Sequence, residues 1–405
     1  MAGWNRTGRA SAPFALVRGM CDPDGGSRLK RLILCGGGHS HLEVLRVMRE
    51  ARRADALSLA GVELVLVDPE SQALYSGMLP GHIAGHYAHD EVHIDLDRLA
   101  AAAGGGRVPW RATGLDPTGR NILLENGTRL EFDLLSLDIG SALDSSVEIL
   151  PGARALRVRP IGEFVRAWPD LLGQAANGGL RRLLVVGAGA AGVELLLAMH
   201  HALRSAVPGQ EVALSLACET EAILPGYPAR VRVHLQRALR AASAYVHSAS
   251  RVLRVEPGGV RTAAGTFIEA DAVILATGAA PPSAFDALGL ARDVRGFFLI
   301  DERLRSMSHD RIYAAGDCAS FAGEQVPKSG VYAVRQGPPL ARNLRAAIEG
   351  RQPSARYRPQ ARALSLISSG DRSAVATRGG ISIAGPWAWR WKDWIDRRFM
   401  ARYRV

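Results

Sequence analysis

Arg31-Leu-Ile-Leu-Cys35-Gly36-Gly37-Gly38-His39-Ser40-His41-Leu-Glu43 decides the reading of this chain, because it recurs. The second copy is Arg182-Leu-Leu-Val-Val-Gly187-Ala-Gly189-Ala-Ala-Gly192-Val-Glu194. Each is an apolar, strand-like run, a glycine cluster and then a helical pattern, and Glu43 and Glu194 stand at the same distance from Gly36 and Gly187. In a strand–turn–helix of this kind the first Gly makes the tight turn. The second lets backbone N–H groups reach a pyrophosphate, and the third lets the helix pack close to the strand. The positive end of the helix then faces the phosphates. Two such turns in one chain point to two dinucleotide sites and to electrons passing between them. The first copy carries His41 at the third position, which predicts a wider gap between its helix and strand.

The rest of the composition fits an α/β protein of more than one domain. The chain has 405 residues, 47% of them hydrophobic, enough for two domain cores and a smaller third unit. No apolar run is long enough to read as a transmembrane helix. Cys21, Cys35, Cys218 and Cys318 are far apart and form no Cys-x-x-Cys. That argues against a disulfide framework, a zinc site and a dithiol centre, and for a reducing compartment. The net charge of +11 is a property of the ends. Residues 351–405 carry twelve basic and three acidic side chains, whereas 31–350 are nearly neutral. A local basic surface fits this better than a nucleic-acid-binding body. Residues 1–29, rich in Pro, Gly, Ser and Arg without a period, read as a disordered tail.

Along the chain, Val62–Val67 is the next strand, and Asp68 at its end is placed to bond a ribose hydroxyl. Tyr75-Ser76-Gly-Met-Leu-Pro80-Gly81 reads as a loop able to lie against a flat ring. His82, His86, His89 and His93 match no ligand spacing, so no metal is expected. Asn121–Leu124, Asn126-Gly127 and Arg129–Leu137 read as a hairpin around Asn-Gly. It leads into Asp138-Ile-Gly140. Gly265–Gly278 repeats that plan and ends in Ala276-Thr277-Gly278. Next come Arg311–Gly316-Asp317, a strand ending in Gly-Asp, and the helical spacing of Ser329–Ile348.

These motifs, in this order, resemble the two-dinucleotide-binding-domain flavoproteins of the pyridine nucleotide-disulfide oxidoreductase superfamily. The resemblance covers roughly residues 31–350. It implies two Rossmann-like domains: FAD over 30–150 and 281–350, and NAD(P) inserted over 151–280, followed by a basic, Trp-rich region over 351–405. It implies FAD contacts from Gly36, Gly37, Gly38, His39, Asp68, Ser76, Pro80, Gly140, Gly316 and Asp317, the last bonding the ribityl chain. It implies NAD(P)H contacts from Gly187, Gly189, Gly192, Glu194, Glu219 and Gly278. Glu194 resembles a superfamily Glu near the nicotinamide, and reads equally as an acid at the positive end of a helix. Cys218 stands where relatives carry the ribose-binding acid. Glu219 follows it with no Arg beside it, which favours NADH over NADPH.

More narrowly the chain resembles type II NADH dehydrogenase-like proteins, and the NADH-dehydrogenase-like module joined to selenide, water dikinase. Gly36–His41, Tyr75–Gly81, Val331–Gly337 and Trp391–Phe399 carry that likeness. The expected enzyme is an FAD-dependent NAD(P)H oxidoreductase without a dithiol, passing electrons to an acceptor, with quinone favoured. Lys328 and Gln336 are the catalytic candidates beside the flavin. Lys328 would stabilise an anionic reduced flavin, or is a solvated loop lysine. The rivals are a flavin reductase of selenium or sulfur metabolism and a low-turnover redox sensor or scaffold.

The C-terminal segment Trp387–Tyr403 is read as an amphipathic helix. Trp387, Trp391, Trp394, Ile395 and Phe399 share one face, with Arg390, Lys392 and Arg397 toward lipid phosphates. That face meets an anionic membrane surface, the FAD domain or a twin subunit in a homodimer. The expected place is the cytoplasm, or the periphery of the inner face of the cell membrane.

Overall fold

The computed structural model describes residues 29–54, 61–144, 146–209, 211–282, 289–360 and 363–405. The tail expected over 1–29 lies, Leu29 apart, outside the described residues, as does Cys21.

Each glycine turn leaves the end of a central parallel strand. In the first sheet the strand order is Ile312–Ala314, Leu134–Leu137, Lys30–Cys35, Val62–Val67 and Gly106–Val108, all parallel. In the second it is Ala155–Arg157, Ala272–Leu275, Arg182–Val186, Ala213–Ala217 and Tyr245–His247, again all parallel. Continuous apolar runs suit strands covered on both faces. Leu32, Ile33 and Leu34 are 1%, 0% and 0% exposed, and Leu183, Leu184 and Val185 are fully buried. At ~1.5–3 kcal/mol each, an upper estimate, such side chains hold the strands in place. Each sheet has its own hydrophobic core.

The Asn-Gly segment differs from the hairpin read in the sequence. Arg129–Glu131 pairs with Asn121–Leu124, but Leu134–Leu137 leaves the hairpin and enters the parallel sheet beside Lys30–Cys35. Leu134, Leu135 and Leu137 are too apolar for a solvated ribbon and bury completely or nearly so.

The segment 75–81 is helical rather than a loop. Ser76–Met78 forms one 3-10 turn and Leu79–Ile83 a short α-helix. Leu79 and Ile83 join the core of the second unit, so Pro80 is buried between the two units.

The helix Gly330–Ile348 packs along the helix His39–Arg53. A Cβ on Gly337 would sit 2.4 Å from Glu43 Cβ, so glycine permits this close approach. A three-stranded antiparallel sheet, Ser365–Ser368, Ala374–Arg378 and Ile381–Gly385, leads into the C-terminal helix Pro386–Ala401.

That helix shows a different face from the one expected. Phe399 faces inward with Ala388, Met400 and Tyr403, while Trp387, Trp391 and Trp394 stay exposed. Lys392 does not reach outward; it is buried against Asp396. Arg397 is held by Glu91 and Asp393. The apolar interior under Tyr75 outcompetes the Trp stripe for Phe399, because Phe399 stacks on the Tyr75 ring at 4.3 Å. The helix therefore docks on the first unit and keeps three Trp side chains outward.

Candidate dinucleotide sites

At the first turn, Gly36 has φ +96° and the helix begins after Gly38. Asp68 takes the Gly37 N–H at 2.6 Å and the Glu70 N–H at 2.9 Å, so the strand-end acid fixes the turn. Burial raises its carboxyl, and the Gly37 and Glu70 N–H groups oppose the rise.

Sequence reasoning passed over the acid on the other side. Asp138, at the end of Leu134–Leu137, is buried and aims one oxygen at the helix start. Its Oδ2 accepts the Ser40 N–H at 2.7 Å and the His41 N–H at 3.2 Å. It acts as an N-cap supplied from a distant strand. A Cβ on Gly38 would fall 2.3 Å from the Asp138 carboxyl carbon, and one on Gly316 2.2 Å from Oδ1. The first glycine turn and the Gly316-Asp317 turn thus close around one carboxyl. Desolvation pushes it up to about 7 despite the two N–H groups. The available signal was positional: Asp138 stands where the second unit carries Ala276, each the first residue after its strand and each donating its N–H to the end of the central strand.

His41, at the third-glycine position, has both ring nitrogens engaged. Its Nδ1 lies 2.7 Å from the Gly36 carbonyl and its Nε2 2.8 Å from Ser136 Oγ. A carbonyl only accepts, so Nδ1 carries the proton and the Ser136 hydroxyl donates to Nε2. Burial lowers the imidazole to about 4, so it stays neutral. In the second unit Gly192 follows the glycine rule, since a Cβ there would lie 1.8 Å from the Gly187 carbonyl oxygen.

Both turns fit a dinucleotide. His39 Nε2 and Thr277 Oγ1 are buried without a hydrogen-bond partner beside the first and second turns. Such atoms are costly unless a further group satisfies them. Gly189, Gly140 and Gly278 face open space, where a Cβ would meet nothing within 4 Å. Burial lowers His39 to about 4, with Asp317 opposing.

Around the Gly-Asp turn, Gln336 Oε1 accepts the Gly316 N–H at 2.6 Å. Asp317 pairs with Arg159 at 3.2 Å, and Arg159 also bonds the Ser141 hydroxyl. Arg159 was not singled out in the sequence, because it precedes the helix Ile161–Ala176 and is far from either turn in the chain. Lys328 donates to the Ala319 carbonyl and lies over the Phe297 ring at 4.1 Å. Its ammonium is lowered by burial, with Cys318, Asp317 and Asp293 opposing. It is half-buried. A small crevice is shared by Asp317, Lys328, Ser329, Ala333 and Gln336. Ser76 abuts the start of the same helix, its Oγ 3.2 Å from a Cβ built on Gly330.

At the second turn Glu194 accepts the Ser368 N–H at 2.6 Å. Glu219 is exposed and faces Arg251 at 3.6 Å. The sequence reading found no arginine beside Glu219; the strand Tyr245–His247 runs parallel to Ala213–Ala217 and brings one there. Cys35 and Cys318 are buried free thiols, both raised by desolvation, Cys318 to about 12. Thiols so raised are poor nucleophiles. Among the described residues no group of three or more His, Cys, Asp or Glu is placed to hold a metal ion.

The model of one protein family, described as pyridine nucleotide-disulphide oxidoreductase, matches residues 30–337. The chain belongs to that family. It has the two-domain Rossmann-like fold expected from its paired turns.

It is 28% identical over 328 residues to an alternative NAD(P)H-ubiquinone oxidoreductase C1 of Arabidopsis thaliana, covering 71% of this chain and 62% of that protein. The match thus spans less than two thirds of the plant protein. It is 26% identical over 323 residues to an NADH dehydrogenase-like protein of Mycobacterium tuberculosis, covering 78% of each. Among solved structures, the sulfide:quinone oxidoreductase of Aquifex aeolicus superposes with a TM-score of 0.74 at 16% identity, covering 93% of this chain and 91% of that one. NDH2 of Plasmodium falciparum with NADH gives 0.72 at 14% identity, covering 92% and 98%. These two likenesses are of fold.

Proposed function

We propose that this oxidoreductase passes electrons from NAD(P)H through FAD to a quinone at a membrane surface. The observation that carries the reading is the C-terminal helix. Phe399 stacks on Tyr75 beside the first turn, while Trp387, Trp391 and Trp394 are 44%, 38% and 56% exposed. Ile381 and Ile383 pair with Arg378 and Ala376 and lie on the sheet face that packs against this helix. They are 73% and 49% exposed. Exposed Trp and Ile beside Arg390 and Arg398 suit an anionic lipid interface. The name of the plant relative, a ubiquinone oxidoreductase, supports a quinone as acceptor. No helix among the described residues is long and apolar enough to cross a membrane, so attachment would be peripheral.

When bound, FAD would supply the redox chemistry, acceptance of hydride from the nicotinamide and onward transfer of electrons. The chain's own residues hold the parts. The first turn, with Asp68 and Asp317, would bind FAD, and the second turn, with Glu219, would bind NAD(P)H. Gln336 holds the Gly316-Asp317 turn through its bond to the Gly316 N–H. Lys328 would place positive charge near the flavin. Mixing reduced, FAD-loaded protein with ubiquinone-1 under anaerobic conditions tests the acceptor. Rapid reoxidation is expected; a flavin that NADH reduces but ubiquinone-1 and menadione leave reduced overturns the quinone assignment.

A further inference from the structure

The helix Ala229–Ala241 carries four arginines and one histidine and no acid. Its period sorts them. Val231, Leu235 and Leu239 turn inward and join the core of the second unit. Arg230, Val233, His234 and Arg237 stand at i, i+3, i+4 and i+7 and share the outer face. Other exposed arginines of this chain meet carboxylates: Arg166 faces Glu70, Arg182 faces Glu269 and Asp271, and Arg254 and Arg261 share Glu256. Among the described residues no carboxylate pairs with Arg230, Arg232, Arg237 or Arg240. An Arg-rich composition therefore does not by itself account for this face.

That face is one wall of a groove of about 350 Å³. The other wall is the strand Ile381–Gly385, the edge of its three-stranded sheet. Val233, Val375, Ile383 and Ala384 make the floor apolar, while Arg230, His234 and Arg237 stand along one side and Ser382 along the other. The size lies within the ~300–1,000 Å³ range of small-molecule sites. Val233 is 43% exposed, so the groove opens to the outside. Ile383 belongs to two surfaces. It lines the groove, and with Ile381 it lies beside the helix bearing the exposed Trp387, Trp391 and Trp394.

We infer that this groove binds one anionic phospholipid, its phosphate held between Arg230 and Arg237 and one acyl chain laid over Val233 and Ile383. Arginine suits that role, because its planar fork donates two parallel N–H bonds to a phosphate. Arg230 and Arg237 are two turns apart, about 10.5 Å along the axis, a span that their long stems can close from either side. A bare polyanion would use these charges and leave the apolar floor wet. An acyl chain without a charged head would use the floor and leave the charges idle. The inference deepens the membrane reading above and rests on it for the source of the lipid. It ties the second unit, as well as the C-terminal helix, to the bilayer.

The test uses full-length protein and two variants. Arg230→Gln with Arg237→Gln removes both charges and keeps side chains that favour a helix. Val233→Glu places a carboxylate three residues after Arg230 and four before Arg237. It supports the helix through both pairs while repelling an anionic head group. Isothermal titration with monomeric dihexanoyl phosphatidylglycerol should give one site in the wild type. Glycerol phosphate, the head group without chains, should bind at least tenfold more weakly. Each variant should lose at least tenfold in lipid affinity with its KM for NADH unchanged. One arginine near an anionic surface carries about fivefold, so two together reach about 25-fold.

Folded variants that keep the wild-type lipid affinity overturn the site. Glycerol phosphate binding as tightly as the lipid overturns it too, because the groove would then be an anion patch. A KM for NADH that rises in step with the loss of lipid also overturns it, placing the arginines at the nucleotide. Flotation on phosphatidylcholine vesicles with and without phosphatidylglycerol checks the membrane reading separately, and the wild type should float far better with the anionic lipid. If the short-chain lipid binds at one site but neither vesicle holds the protein, the membrane reading fails and the groove stands.

Discussion

Asp138→Asn isolates the electrostatic strain at the first turn. In the folded protein the carboxyl is pushed from its ordinary 3.8 to about 7. An unfolded chain releases this proton near pH 4, and the folded chain holds it until about pH 7. The folded state therefore binds more protons between these values, and stability falls as pH rises across that window. Below pH 4 both states are protonated and the penalty is absent; above about 7 it is full and constant. The span of about three pKa units corresponds to roughly 4 kcal/mol, an order-of-magnitude upper value.

Asn preserves the cap. One oxygen, Oδ2, takes both the Ser40 and His41 N–H groups, and the Asn carbonyl can stand in its place. Urea unfolding of FAD-free wild type and Asp138→Asn at pH 5, 6, 7 and 8 measures the difference. The variant should gain on the wild type steadily up to pH 7 and then hold a constant lead. A variant less stable than wild type at pH 8 would refute the reasoning. It would mean that the anion gains more from the helix terminus than it loses by burial. The same carboxylate stands beside the turn proposed to bind the FAD pyrophosphate, so FAD retention should weaken above pH 7 in wild type only.

Gly189→Val should fold normally, because a Cβ there meets no neighbour within 4 Å, yet fill the space where a pyrophosphate approaches. Flavin reduction by NAD(P)H should drop at least tenfold with FAD retained; full-rate reduction in rapid mixing would remove the nicotinamide from that turn. Arg251→Ala should lower the NADPH-to-NADH ratio of kcat/KM roughly fivefold to tenfold, about 1 to 1.4 kcal/mol for one exposed cation on a 2′-phosphate; an unchanged ratio frees Arg251 from that role. Trp391→Ala with Trp394→Ala should weaken flotation with anionic liposomes on the order of tenfold, leaving the buried Lys392 and Phe399 in place. If full-length protein fails to float at low salt, or if the pair instead turns a dimer into a monomer, the exposed Trp face serves a different partner.

The order of apolar runs and glycine clusters determined the family by itself. Strand–turn–helix units are local, and a backbone that must approach both a phosphate and a neighbouring strand leaves few choices at Gly187, Gly189 and Gly192. Val62–Val67 and the helix after Gly38 were legible for the same reason: period and punctuation lie within a few residues. What only the tertiary structure decided are the pairings between distant segments. Nothing near Asp138 in the chain says that it caps a helix almost a hundred positions earlier. Arg251 reaches Glu219 only because parallel strand pairing sets two loops side by side. The C-terminal helix shows the limit most clearly. Its 3.6-residue period groups Phe399 with the Trp residues and places Lys392 outside. Periodicity ranks faces by composition alone, however, and cannot see a partner. Tyr75 offered a ring for Phe399, and Asp396 with the Gly77 carbonyl offered a charge and an acceptor for Lys392. Once those bonds are available inside, the face that buries is the one whose polar groups can be satisfied there.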